Sequence, residues 1–297
     1  LANRGIDVSE FMHAKRFGYE RESKIFLEYH LPAEEAGEVL NNTNGYYWRN
    51  RWFKPKHKEE VKVFYSTRGT LRTFIHQIPE DASGDSLTQG NALNAAQFFL
   101  VGTIGIDIQD WELIESKTEK LKNRWDHEFE WKEKSFNIKE STHSLTVKVQ
   151  GDQIGQYDER IKVPETWNRE YEKIRSKNNL LGDIGFTGLS IAIIIIFIMI
   201  LVRTREKDIH WKTAFTWSGV IAVLLIINVF NNYPLELYWY DTRDPFLTFL
   251  TSTILFECIL VPLVVALSMG ILIAGSEPFY RDQYPHQLSF RHILTTQ

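Results

Sequence analysis

Apolar positions along the chain first recur at helical spacing, then alternate, then run unbroken. Residues 20–30 and 32–41 carry apolar side chains three and four apart, which predicts two short helices. Residues 46–53 are rich in aromatics and predict a strand; 61–65 predict a second, and 71–78 a third after a turn at Arg68-Gly69-Thr70. A start signal at Ser86 or Thr88 opens a helix to about position 101. Residues 111–118, 125–132, 145–150 and 154–163 predict four more strands, with Gly151-Asp152 turning the last hairpin.

Beyond position 183 the alternation stops. Residues 184–202 carry no charge, and at 1.5 Å per residue they span roughly 28 Å, close to a hydrocarbon core of about 30 Å. Residues 213–230 form a second apolar run, flanked by Trp211 and Tyr233. A third covers 246–275 and is interrupted by Glu257 and Pro262. These are three predicted transmembrane helices. Residues 164–183 begin with a proline and an acidic first turn, which predicts a helix leading into the first of them.

Part of the chain repeats. Val61-Lys62-Val63 returns as Val147-Lys148-Val149, and Ile78-Pro79-Glu80 as Val163-Pro164-Glu165, at an offset of about 86 residues; the aromatic strand at 46–53 has a looser echo in 124–131. The expected fold is therefore an α+β soluble domain of two α/β-hairpin units with antiparallel sheets, followed by an α-helical membrane part with three transmembrane helices. The units are 1–85 and 86–165, the connecting helix 166–183, the spans 184–202, 213–230 and 246–275, and the final segment 276–297. In each unit the preceding helix, 32–41 or 88–101, should cover the valine face, with Lys62 and Lys148 on the other.

Composition sharpens this division. The 297 residues are 24% charged, and the mean hydropathy of −0.26 conceals a polar front and an apolar back. The net charge of −4 argues against a nucleic-acid partner. Cys258 is the only cysteine, so no internal disulfide forms. Residues 203–212 hold Arg203, Arg205, Lys207 and Lys212, whereas 231–245 hold only Arg243. The positive-inside rule then orients the chain as a multi-pass protein of the cell membrane, with residues 1–183 extracytoplasmic and 276–297 cytoplasmic. Tyr238, Trp239 and Tyr240 read as interface anchors. A domain of this size crosses a bilayer only when something upstream delivers it, so a longer protein is expected.

Candidate chemistry is sparse. No Gly-x-Ser-x-Gly, His-Glu-x-x-His or phosphate-binding loop occurs. His13, His30, His57, His76, His127 and His143 lie at no ligand spacing and read as exposed or hydrogen-bonded. No residue is assigned a catalytic or metal role. Glu257 is a candidate intramembrane polar residue, because an ionisable group in hydrocarbon is costly and usually functional; placing it near the headgroups is the alternative.

Several stretches resemble long members of the CPBP family, the bacterial CAAX-protease and bacteriocin-processing intramembrane metalloproteases. They are 46–55 with Glu59-Glu60-Val61, 78–81, 147–152, 162–165 and 275–285. The last is similar to a Gly-Glu-Pro-x-Tyr-Arg loop after the third helix, which makes Glu277, Pro278, Tyr280 and Arg281 a candidate cytoplasmic loop motif. Each soluble unit resembles a PepSY-like domain. The family's Glu-Glu-x-x-x-Arg and Phe-x-x-x-His helices are not found in the membrane part, and Phe53 to His57 matches the second spacing only within the soluble domain. The resemblance thus implies an accessory part that presents or gates a peptide or membrane-protein substrate, with the active site beyond residue 297 and a divalent metal, zinc foremost, in the intact protein. A membrane-anchored sensor or inhibitor module and a permease-type transporter subunit are the alternatives.

Overall fold

The computed structural model describes residues 1, 5–205 and 209–284, apart from the side chains of Phe279 and Arg281. Lys207 and residues 285–297 lie outside the described residues. The chain divides into two compact units, one of residues 1–171 with 234–246 and the other of 172–233 with the residues after 246.

The first unit is built on one eight-stranded antiparallel sheet in the order β1-β2-β3-β4-β8-β7-β6-β5. The strands are β1 (Met12–Tyr19), β2 (Tyr46–Phe53), β3 (Glu60–Ser66), β4 (Leu71–Gln77), β5 (Trp111–Lys120), β6 (Trp125–Glu133), β7 (Thr142–Gln150) and β8 (Gln153–Lys162). Each half is a four-stranded meander, and the halves join where β4 pairs with β8. The expected α+β domain with antiparallel pairing is present, and its two halves lie in one continuous sheet. The two inner edges pair at Thr73↔Asp158, Phe74↔Tyr157 and Ile75↔Gln156, which removes the exposed edge each meander would otherwise present. Strand β1 is not predicted. It is an edge strand carrying Lys15 and Arg16, and charge at an edge hides strand periodicity while guarding against association.

The repeat holds at the level of strands. Val61, Val63, Val147 and Val149 are all buried in one core cluster. Val61 pairs with Trp52 on β2, and Val147 with Phe129 on β6, so both valines face an aromatic neighbour. Lys62 and Lys148 point the other way and pair with Glu60 and Asp126. The helical cover differs from expectation. One helix, α3 (Gln89–Phe99), packs against β6, β7 and β8, and its Ala92, Ala96 and Phe99 join the core cluster that also holds Val61 and Val63. Two alanines one turn apart let its backbone approach the sheet closely. The Thr88 hydroxyl caps it by accepting from the Asn91 amide. The other two helices, α1 (Arg21–His30) and α2 (Ala33–Asn42), bury Phe26, Leu27, Ala36 and Leu40 against Ile161 and Trp167 instead. Phe26 meets Trp167 edge-on at 5.1 Å, and the Ser23 hydroxyl donates to the Ile161 carbonyl.

Trp167 lies in the first turns of α4 (Glu165–Arg205), a helix of 41 residues that absorbs both the predicted connecting helix and the first span. The second unit continues with α5 (Trp211–Glu236), α6 (Phe246–Ser252), a π-helical stretch at Thr253–Leu260 and α7 (Val261–Gln283). Three helical stretches, Glu165–Arg205, Trp211–Trp239 and Phe246–Pro278, are long and apolar enough to cross a membrane. The π-helical stretch ends just before Pro262, which has no N–H to donate and whose ring crowds the preceding turn, so the ladder loosens there. Large apolar side chains such as Phe186, Phe197, Phe230 and Leu247 are more than half exposed. So much contiguous apolar surface identifies a membrane-associated protein.

The shared core generates a stability expectation. Phe129→Ala and Leu145→Ala, both fully buried, should each destabilise the sheet unit by about 2–5 kcal/mol. Lys117→Ala, whose side chain is 61% exposed, should stay within about 0.5 kcal/mol. Thermal unfolding of the detergent-solubilised chain checks both, and equal effects of the core and surface substitutions would show that Phe129 and Leu145 do not carry the stability of the sheet unit.

Candidate functional site

The connection between α5 and α6, residues 234–246, belongs to the sheet unit. Strand β2 presents Arg51 on the face opposite α3, almost fully buried. Its Nε donates to Glu60 Oε2 at 2.8 Å, and its Nη1 donates to the Tyr238 carbonyl at 2.8 Å and the Tyr240 carbonyl at 2.7 Å. A planar guanidinium can serve a carboxylate and two carbonyls at once, which an ammonium group could not do in this geometry. Burial pushes the Glu60 carboxyl's pKa up, but Lys62 and Arg51 outweigh it and hold it below the ordinary value. Around this clamp Phe53 packs on the Tyr240 ring at 5.5 Å, and the Lys56 amide donates to the Thr242 carbonyl at 2.7 Å. The connection is shaped locally as well. Asp241 accepts from the Arg243 amide and guanidinium, which hold its carboxyl down at about 2, and Tyr240 Oη donates to the Asp244 carbonyl.

Tyr238 and Tyr240, read from the sequence as interface anchors, are thus buried within the sheet unit at 5% and 1% exposure. Of the three aromatics only Trp239 is exposed, and Arg16 stacks over its ring at 5.3 Å. A cavity of about 620 Å³ opens beside the clamp, lined by Arg51, Lys62, Glu80, Trp239 and Arg243 among others.

Gly270 of α7 lies against Ser218 of α5, where a Cβ would collide with the hydroxyl, and Gly275 lies against Ile196 and Ile200 of α4. Counting back about 20 Å from Gly270 at 1.5 Å per residue brings Glu257 level with Asn231 on α5, and the α4 contact brings it close to Asp183. At the other end Arg203 pairs with Asp282 at 2.9 Å and His210 with Glu277 at 3.1 Å. Glu257 is an exposed residue inside the π-helical stretch, within the apolar run Phe246–Pro278.

Glu277, Pro278, Tyr280 and Arg281 are not in a loop. They continue α7, which runs to Gln283 with Pro278 inside it. The Arg281 side chain lies outside the described residues, Tyr280 is exposed, and Glu277 carries the contact to His210. Phe53 and His57 stand in the sheet unit, at the end of β2 and in the loop after it.

A buried triad in the sheet unit is not foreshadowed by any spacing in the chain. His143 of β7 bridges two carboxylates, with Nδ1 2.7 Å from Glu133 and Nε2 3.0 Å from Glu159. Asn44 Nδ2 donates to Glu159 at 2.8 Å and Tyr157 Oη at 3.4 Å. Burial pushes the imidazole's pKa down, but the two carboxylates outweigh it and the net direction is up. The bond from His143 holds the Glu133 carboxyl below its ordinary value, and burial pushes the Tyr157 phenol up. The group is hidden because its members come from three successive strands, 10 and 16 positions apart, and only the hairpin registers bring Glu133, His143 and Glu159 together. Among the described residues, no three His, Cys, Asp or Glu side chains are arranged to hold a metal ion. No protein-family model, no curated protein and no solved structure matches this chain.

Two expectations come from this geometry. Arg51→Ala leaves the Tyr238 and Tyr240 carbonyls without their donor while Glu60 keeps Lys62, and should cost about 1–3 kcal/mol. The Lys56 amide should then exchange faster in hydrogen-exchange mass spectrometry, and unchanged protection would show that the clamp does not hold residues 234–246. The His143 cluster sets a pH dependence. A histidine raised above 6.5 binds more proton in the folded state, so its contribution is complete below that value and disappears as pH rises through the folded pKa. Glu133, lowered below 4.5, contributes above that value and loses its effect as pH falls. Melting temperature should decline on the alkaline side of about pH 6.5, and His143→Gln should flatten that decline.

Proposed function

We propose that the chain is a membrane-anchored gating module, in which the sheet unit holds the connection between two membrane helices and so couples its own state to theirs. The observation that carries this reading is Arg51, whose guanidinium binds the Tyr238 and Tyr240 carbonyls between α5 and α6. A ligand or substrate that favours one arrangement of the sheet unit would bias those helices by its differential affinity. Within the resemblance to CPBP proteases, this is the accessory front part of an intramembrane metalloprotease, presenting or gating a peptide or membrane-protein substrate. The divalent metal of such an enzyme, zinc foremost, is assigned to no residue of this chain. The PepSY-like sensor reading is favoured by a cavity beside Glu159.

We further propose that the chain crosses the cell membrane three times with the sheet unit outside the cytoplasm. The basic residues of 203–212 support it, as does the fact that 234–246 and 1–171 form one unit and so must share a side. In a Cys258→Ala background, cysteines at the exposed Thr67 and at Thr242 should react with an impermeant thiol reagent in intact spheroplasts, and a cysteine at Thr204 only after permeabilisation. Labelling of the Thr204 position in intact cells would reverse the orientation. Coupling is tested with spin labels at Asn232 and Leu247. Arg51→Ala should broaden the distance distribution between them, and an unchanged distribution would remove the basis for gating.

A further inference from the structure

The triad around Glu159 borders a second cavity, of about 470 Å³, within the range of small-molecule sites. Leu71, Ile104, Ile106 and Trp111 contribute apolar walls, and Glu159 is the only charged residue in the described lining. Three elements shape the opening. The β3–β4 turn supplies Gly69 and Thr70, Trp111 opens β5, and the chain after α3 winds into a π-helical turn, Leu100–Ile104, that delivers Thr103 and Ile104. That turn ends at Gly105, whose φ of 83° belongs to the left-handed region. Asn44 also has a left-handed φ, 54°. Its amide donates to Glu159 and accepts from the Thr70 hydroxyl at 2.7 Å, which fixes the carboxylate's orientation.

The charge balance selects the occupant. Two carboxylates, Glu133 and Glu159, surround one imidazole, so the cluster keeps an excess negative charge even when His143 is protonated. Among the described residues no lysine or arginine lines the cavity; Arg68 stands at its rim, where its guanidinium donates to the lining residue Asn44 at 3.4 Å and to Asn42. A carboxylate offers about four acceptor sites. His143, Asn44 and Tyr157 use three, and one remains. Tyr65 and Trp111 add aromatic rings to the wall, which suit a cation as well as an apolar body.

We propose that this cavity binds a small organic ammonium compound, with its apolar body among Leu71, Ile104, Ile106 and Trp111 and its ammonium group on the Glu159 carboxylate. The inference stands apart from the gating role, because it rests on residues that take no part in the Arg51 clamp.

The test uses the whole chain in detergent micelles and three probes that share one body: phenethylammonium, 2-phenylethanol and phenylacetate. Ligand-observed NMR and the shift in melting temperature report binding. Phenethylammonium should bind about tenfold more tightly than the alcohol, and phenylacetate should not bind. Glu159→Gln should abolish the preference for the cation. If that variant does not fold, Ile106→Trp keeps the triad and fills the cavity; it should abolish binding of every probe while leaving the melting temperature of the free protein unchanged. Equal binding of the alcohol overturns the cation assignment. Binding that survives Ile106→Trp, or no binding by any of the three, overturns the site.

Discussion

A buried guanidinium has to be fully partnered, and much of the sheet unit is arranged around meeting that requirement at Arg51. One carboxylate, Glu60, neutralises it, and two carbonyls from a segment nearly 190 positions later complete its hydrogen bonds. Neither strand β2 nor the connection could keep these groups buried alone. A guanidinium without its carbonyls would keep unsatisfied donors, and the connection without Arg51 would leave two carbonyls unpaired beside apolar Phe53. The pair thus makes residues 234–246 part of a domain whose other residues end at position 171. The burial of Tyr238 and Tyr240 has the same origin, since carbonyls drawn onto β2 carry their rings into the sheet.

The sheet itself is a compromise between two copies of a motif and one core. Each meander could bury only one face and would leave an inner edge open. Joining through three residue pairs of β4 and β8 closes both edges, and the seam is reinforced where the Thr73 hydroxyl donates to Asp158. Helix α3 packs on β6, β7 and β8, while α1 and α2 cover the end of β8 and the start of α4.

The helices of the second unit obey a simpler rule. Glycines at 270 and 275 let α7 approach α5 and α4. The irregular winding around Glu257 is caused by the proline that comes next.

The sequence by itself determined what depends on local period and on composition. Three apolar runs, the start of α3 at Thr88, the hairpin strands and the common face of Val61, Val63, Val147 and Val149 were all legible, because side-chain alternation and cap chemistry act between near neighbours. Only the tertiary structure decided what depends on distant partners. That β4 would meet β8, that both valine pairs would enter one core, and that Arg51 would hold Tyr238 and Tyr240 leave no periodic trace. Nor does the meeting of His143 with Glu133 and Glu159, since any one of the six histidines of the first unit has the same local appearance in the chain. Buried polar groups are placed by the need to satisfy each other across the sheet, and that need becomes visible only once the strands are side by side.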